Sequence, residues 1–158
     1  HDYWWCGINR LREVLPENMY AIQNDAMLFG DVVVCGTRGW TLPANGNAED
    51  EKIYNRELIR MELSLSSARK LGGKKLVVMT HYPPLAENGG ETPMSRLLNE
   101  YQVDDAVYGH LHGASLRGAV TGKYGCVQYH CVSCDGLKFR MYALPGGGEN
   151  TENGAENQ

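Results

Sequence analysis

Of the five histidines in this 158-residue chain, three fall in two short loops with similar flanks. Thr80-His81-Tyr82-Pro83-Pro84 follows the apolar run Leu76-Val77-Val78-Met79, and Gly109-His110-Leu111-His112-Gly113 follows Ala106-Val107-Tyr108. Short runs rich in β-branched residues are expected to be buried strands, so each loop delivers imidazole where regular structure stops, a rigid place from which to hold a ligand. Gly109 permits a tight turn. His110 and His112 are two residues apart, and in an extended segment side chains at that spacing point to one side. The chemistry that suits such a set is metal ligation, with one imidazole of the second loop available to each of two neighbouring ions. Nitrogen and oxygen donors together suit manganese, iron, zinc or cobalt, so softness does not choose among them.

Gly109-His110-Leu111-His112 resembles the closing G-H-x-H motif of the calcineurin-like metallophosphoesterases, Thr80-His81 is similar to their preceding single-histidine motif, and His1-Asp2 looks like the end of their G-N-H-D/E motif. The strings His1-Asp2-Tyr3-Trp4-Trp5, Gly36-Thr37-Arg38-Gly39-Trp40 and Tyr54-Asn55-Arg56-Glu57-Leu58 are similar to a subgroup of predicted phosphohydrolases in that family, and the resemblance spans roughly residues 1 to 143. The family's earlier D-x-H and G-D motifs have no counterpart here. The resemblance therefore implies that residues 1–145 are the C-terminal half of a domain, an α/β fold in which a four-layer α/β/β/α sandwich of mixed sheets carries the metals at its strand ends. It implies hydrolysis of a phosphate ester by a hydroxide bridging two divalent ions of manganese, iron or zinc, with His81 and His110 on one ion and His112 on the other. His1 then acts as an acid towards the leaving oxygen, or stabilises charge there, with Asp2 orienting it. Lacking the bridging carboxylates, the chain alone is expected to be nearly inactive.

Several elements must position these groups. Asp2 is a helix cap by type, and Tyr3, Trp4, Ile8, Leu11 and Leu15 recur with helical spacing, predicting a helix from about residue 3 to 15 with His1 at its anion-favouring start. Residues 20–23, 26–29 and 32–36 are expected to be antiparallel strands joined by Asn24-Asp25 and Gly30-Asp31 turns. Arg38, at the end of the third, could grip a substrate phosphate or pair with a nearby carboxylate, and Trp40 is expected to pack as a lid. Tyr54, Leu58, Met61, Leu65 and Ala68 make one stripe of a helix over residues 50–71, with Glu57 and Arg60 assigned to its solvated faces. Thr92-Pro93 starts another helix. Strands are expected at 115–120, 125–132 and 137–143, with Cys134-Asp135-Gly136 as a hairpin turn and His130 structural within its strand.

With 42% apolar and 22% charged residues the composition is that of one globular unit. The net charge of -4 falls mostly on Glu149, Glu152 and Glu156 of residues 146–158, a polar tail expected to be disordered. No basic run argues for nucleic acid, and no apolar run is long enough for a membrane span. Five cysteines at irregular spacing suggest reduced thiols and a cytoplasmic setting; Cys131 and Cys134 lack a second ligand pair and are expected to be packed. Two alternatives to the phosphoesterase stay open, a non-catalytic binding or regulatory module with the same fold and a mononuclear zinc hydrolase.

Overall fold

The computed structural model of the chain describes residues 6–44 and 47–145, so His1, Asp2 and the tail lie outside the described residues. The strands are β1 (Ala26–Phe29), β2 (Val32–Thr37), β3 (Lys75–Thr80), β4 (Asp105–Tyr108), β5 (Gly122–Tyr124) and β6 (Val127–Cys131), and the helices are α1 (Ile8–Val14), α2 (Ala48–Arg69) and α3 (Pro93–Glu100). The strands form one mixed sheet of the α/β class in the order β1-β2-β3-β4-β6-β5. β1 and β2 make the antiparallel hairpin that Gly30-Asp31 predicts. β2, β3, β4 and β6 run parallel, and β5 returns antiparallel beside β6. Parallel neighbours need long crossovers; α2 supplies the one from β2 to β3, and α3 the one from β3 to β4.

Side-chain alternation sorts the sheet into two faces. Val33 and Cys35, Val78, Ala106 and Tyr129 pack in one cluster with Tyr54, Met61 and Leu65 of α2 and with Met94 and Leu98 of α3. The predicted α2 stripe is thus the one that is buried, with Asn47 capping the helix by accepting from Asp50 N. Thr92 caps α3 as its type predicts, accepting from Ser95 N at 3.0 Å while Thr92 N donates to Ser95 Oγ at 2.9 Å. One glycine is required by close approach: a Cβ at Gly36 would lie 1.9 Å from Met79 O. The Gly36 N–H is satisfied by α2, donating to Ser64 Oγ at 2.8 Å. On the opposite face Val34, Val77, Met79 and Val107 border a hollow of about 410 Å³ that Leu137 and Tyr142 partly cover.

Four expectations are corrected. α1 begins at Ile8 with Gly7 as its N-cap, later than a cap at Asp2 requires. Residues 20–23 are not a strand, because their backbone groups are engaged elsewhere: Ala21 O accepts from Arg12 Nη2 at 2.7 Å and Gln23 N donates to Asp25 Oδ1 at 2.8 Å. Residues 115–120 lie mostly in a 3-10 helix, Gly113–Gly118, and residues 137–143 are irregular. There Lys138 N donates to Asp135 O at 3.0 Å and Phe139 N to Cys134 O at 2.7 Å, with Lys138 and Phe139 at φ of 52° and 56°. Tight turns of this kind leave nothing for a ladder.

His130 has the structural place expected of it. Its Nε2 lies 2.6 Å from Asp105 Oδ1, its Nδ1 2.9 Å from Tyr142 Oη, and Asp105 Oδ2 pairs with Lys75 Nζ at 2.7 Å. Burial pushes the Asp105 carboxyl upward, but hydrogen bonds and charge from Lys75 and His130 outweigh it and hold the group below the ordinary carboxylate value. A depressed folded pKa adds stability above the unfolded value of about 3.9 and loses it as pH falls through the folded value. Asp105→Asn is therefore expected to cost about 3 kcal/mol in urea unfolding at pH 7, with the difference from the natural sequence shrinking below about pH 4.

Candidate metal centre

The four parallel strands finish in register. Thr37 pairs with Thr80, Thr80 with Tyr108, and Tyr108 with Cys131, so the segments beginning at Arg38, His81, Gly109 and Val132 leave the sheet side by side. This is the carboxyl edge of a parallel sheet, where α/β proteins bind ligands. The loops are then stitched through the backbone. Arg38 O accepts from His81 N at 2.9 Å and from Tyr82 N at 3.0 Å, and His81 O accepts from Gly109 N at 3.2 Å.

The stitching brings two of the candidate ligands together: His110 Nδ1 lies 3.1 Å from His81 Nε2. The rings stand edge to face at 5.0 Å, and Tyr82 lies against His110 with centroids 4.2 Å apart. Two nitrogens about 2.1 Å from one ion are separated by about 3.0 to 3.4 Å for octahedral to tetrahedral angles. The observed pair fits that spacing. Burial, and then the charge of His112, hold the His110 imidazole below its ordinary pKa, so it is neutral at pH 7, the form that ligates metals.

His110 reaches His81 by a route that period-two spacing does not foresee. The segment is not extended: His110 has φ of 69°, the left-handed region that costs an L-residue roughly 1–2 kcal/mol. Within residues 109–113 the positive φ falls on His110 and Gly113, not on Gly109. The twist sends His110 towards His81 and leaves His112 facing another segment. His112 Nδ1 is 2.9 Å from Asp135 Oδ1, and Asp135 also accepts from Gly113 N at 2.8 Å and Gly136 N at 2.9 Å. The Gly113 hydrogen bond, followed by that of His112, holds the partly buried Asp135 carboxyl below its usual range.

Asp135 and Cys134 are the residues that sequence reasoning passed over. Asp-Gly suggested a hairpin turn, but no strand follows it among the described residues; Asp135 instead ties the loop after β6 to the loop after β4. Cys134 is exposed, not packed, and one ligand atom from each of His112, Cys134 and Asp135 lies within 4.8 Å of the others. The available signal was position, since Cys134 and Asp135, like His110 and His112, lie within four residues of a strand end.

Arg38 borders the same edge. Its guanidinium lies over the Trp40 ring at 4.6 Å and Nη2 is 3.8 Å from Glu57 Oε1. Trp40 packs partly buried against the core and donates from Nε1 to Asp50 Oδ1 at 3.1 Å. Glu57 was expected on a solvated face and is fully buried. Three donors compensate it: Thr37 Oγ1 at 2.6 Å, Gly39 N at 3.0 Å and Arg60 Nη1 at 2.6 Å. A buried carboxylate so paired fixes the Arg38 loop to α2. Beside it a hollow of about 770 Å³ is lined by Leu11, Leu15, Tyr20, Arg38, Arg60 and His81.

No protein-family model, curated protein or solved structure matches the chain. No helix among the described residues is long and apolar enough to cross a membrane.

The strain at His110 is open to test. His110→Ala keeps a Cβ at a positive φ whereas His110→Gly does not, so the glycine variant is expected to unfold in urea with about 1 kcal/mol more stability than the alanine variant. Equal midpoints would mean that the loop relaxes once the imidazole is gone.

Proposed function

We propose that the chain carries the metal-ligand loops of a phosphoric ester hydrolase, with His81 and His110 serving one divalent ion and His112 a second. The observation that carries the reading is the meeting of His81 Nε2 and His110 Nδ1 at 3.1 Å, at the edge where parallel strands end together. When bound, a pair of divalent ions withdraws charge from phosphate oxygens and lowers the pKa of a water between them.

The chain's own residues supply position and shape. Tyr82 against His110 limits rotation of that ring, and the Arg38 carbonyl fixes the start of the His81 loop. The Arg38 guanidinium, half-exposed and braced by Trp40 and Glu57, donates to the phosphate of the ester. The neighbouring hollow takes the organic part; its size is that of small-molecule sites generally, and its apolar wall of Leu11, Leu15 and Tyr20 favours a hydrophobic ester group. His1 and Asp2 retain their proposed part in protonating the leaving oxygen. A second sheet over Val34, Val77, Met79 and Val107 would make the four-layer sandwich, since sheets rich in parallel strands are covered on both faces.

Titration calorimetry of the metal-free chain with manganese(II) tests the metal pair. His81→Ala and His110→Ala are each expected to weaken binding about tenfold or more, and Lys123→Ala, away from the site, to leave it unchanged. In the manganese-loaded chain Arg38→Met is expected to weaken an aryl phosphate about tenfold. Unchanged metal affinity in His110→Ala would sink the reading.

A further inference from the structure

His112, Cys134 and Asp135 come from the two loops that follow β4 and β6, strands whose ends are paired at Tyr108 and Cys131. Their donor set differs from that of the His81–His110 pair by including a thiol. We infer that these three residues form a site for a thiophilic divalent ion, zinc or its cobalt(II) substitute, with one coordination position left open to an exchangeable ligand. This deepens the phosphoesterase reading by giving ligands and a metal class to the ion that His112 serves. It rests on that reading for the ion's role, not for its binding.

The geometry argues for it in three ways. His112 Nδ1 and Asp135 Oδ1, 2.9 Å apart, share one proton between two electron-pair donors, and a cation can take that proton's place. The displaced proton moves to Nε2 of a neutral imidazole, or to solvent if Nε2 already carries one, and the Cys134 thiol releases its proton to solvent. The carboxylate is already aimed, because Gly113 N donates to its Oδ2 and Gly136 N to its Oδ1. Gly136 in turn lies against Leu116 of the 3-10 helix, where an added Cβ would be 3.1 Å from the Leu116 side chain, so the two loops are packed as well as bonded.

Size and donor chemistry agree. The ligand atoms lie within 4.8 Å of one another, against about 3.3–3.8 Å for nitrogen, oxygen and sulfur on a tetrahedral zinc. Cys134 and His112 are both exposed, and small side-chain rotations close the difference without moving the backbone. Thiolate with imidazole and carboxylate selects zinc or cobalt over manganese and magnesium. Three protein ligands with a free fourth position are the pattern of catalytic, not structural, zinc.

The experiment is a cobalt(II) titration of the metal-free chain followed by absorption spectroscopy. The expected result is thiolate-to-cobalt charge-transfer absorption in the near ultraviolet that saturates at a single equivalent. Zinc should abolish it by displacement, and manganese should not. Cys134→Ser should remove the band with the far-ultraviolet circular dichroism unchanged, Cys131→Ser should keep it, and Asp135→Asn should weaken cobalt binding about tenfold or more. His81→Ala and His110→Ala should both keep the band, so failure of the manganese pair leaves this site standing and the converse also holds. A chain with no band, or a band that survives Cys134→Ser or disappears in Cys131→Ser, would overturn the inference.

Discussion

Parallel pairing of β2, β3, β4 and β6 holds Thr37, Thr80, Tyr108 and Cys131 in one row, and each loop with chemical potential starts one residue beyond it. A slip of one residue in any pair would reverse which side chains face α2 and α3. The core therefore enforces the row. Val78 and Ala106 cannot leave the packed face without exposing apolar surface, so the starting points of the loops at His81 and Gly109 are set by burial far from the imidazoles. Gly36 belongs to the same constraint: its missing Cβ is what lets β2 lie against Met79 of β3.

The edge of the sheet also carries two features that cost stability. His110 occupies a left-handed backbone conformation, and the carboxyl of the buried Glu57 accepts from three donors on β2, the Arg38 loop and α2. Such features cost stability and persist where surrounding structure over-determines them. Here the surroundings are the backbone bonds from Arg38 to His81 and Tyr82, and from His81 to Gly109. Contrast the cluster in which Lys75 and Asp105, at the starts of β3 and β4, meet His130 and Tyr142: its polar groups bond mainly to one another, and it serves stability.

How much could be read from sequence followed how local the cause was. The stripe from Tyr54 to Ala68, the Thr92-Pro93 helix start and the strands before His81 and His110 were legible because periodicity, caps and β-branched runs act over a few residues. The segment after Cys131 was not, since alternation in Leu137-Lys138-Phe139-Arg140 mimics a strand while Asp135 and the turns around it draw the backbone another way. Glu57 was misplaced for a related reason: a helix wheel marks it polar, and beyond its neighbour Arg60 one turn on, only the tertiary position of Thr37 and Gly39 makes its burial tolerable. Of the site, the histidine loops were visible as types at strand ends. The partnership of His112 with Asp135 was hidden, because it depends on β6 lying next to β4.

The central claim is that the His81–His110 contact is a cation site and not a hydrogen bond between two rings. Diffraction from crystals grown with manganese(II), recorded at an energy where manganese scatters anomalously, measures this directly. The account predicts an anomalous peak within ligand distance of both His81 Nε2 and His110 Nδ1, with His110 still at positive φ. Crystals that show the two nitrogens hydrogen-bonded to each other at saturating manganese, with no peak between the rings, would contradict it.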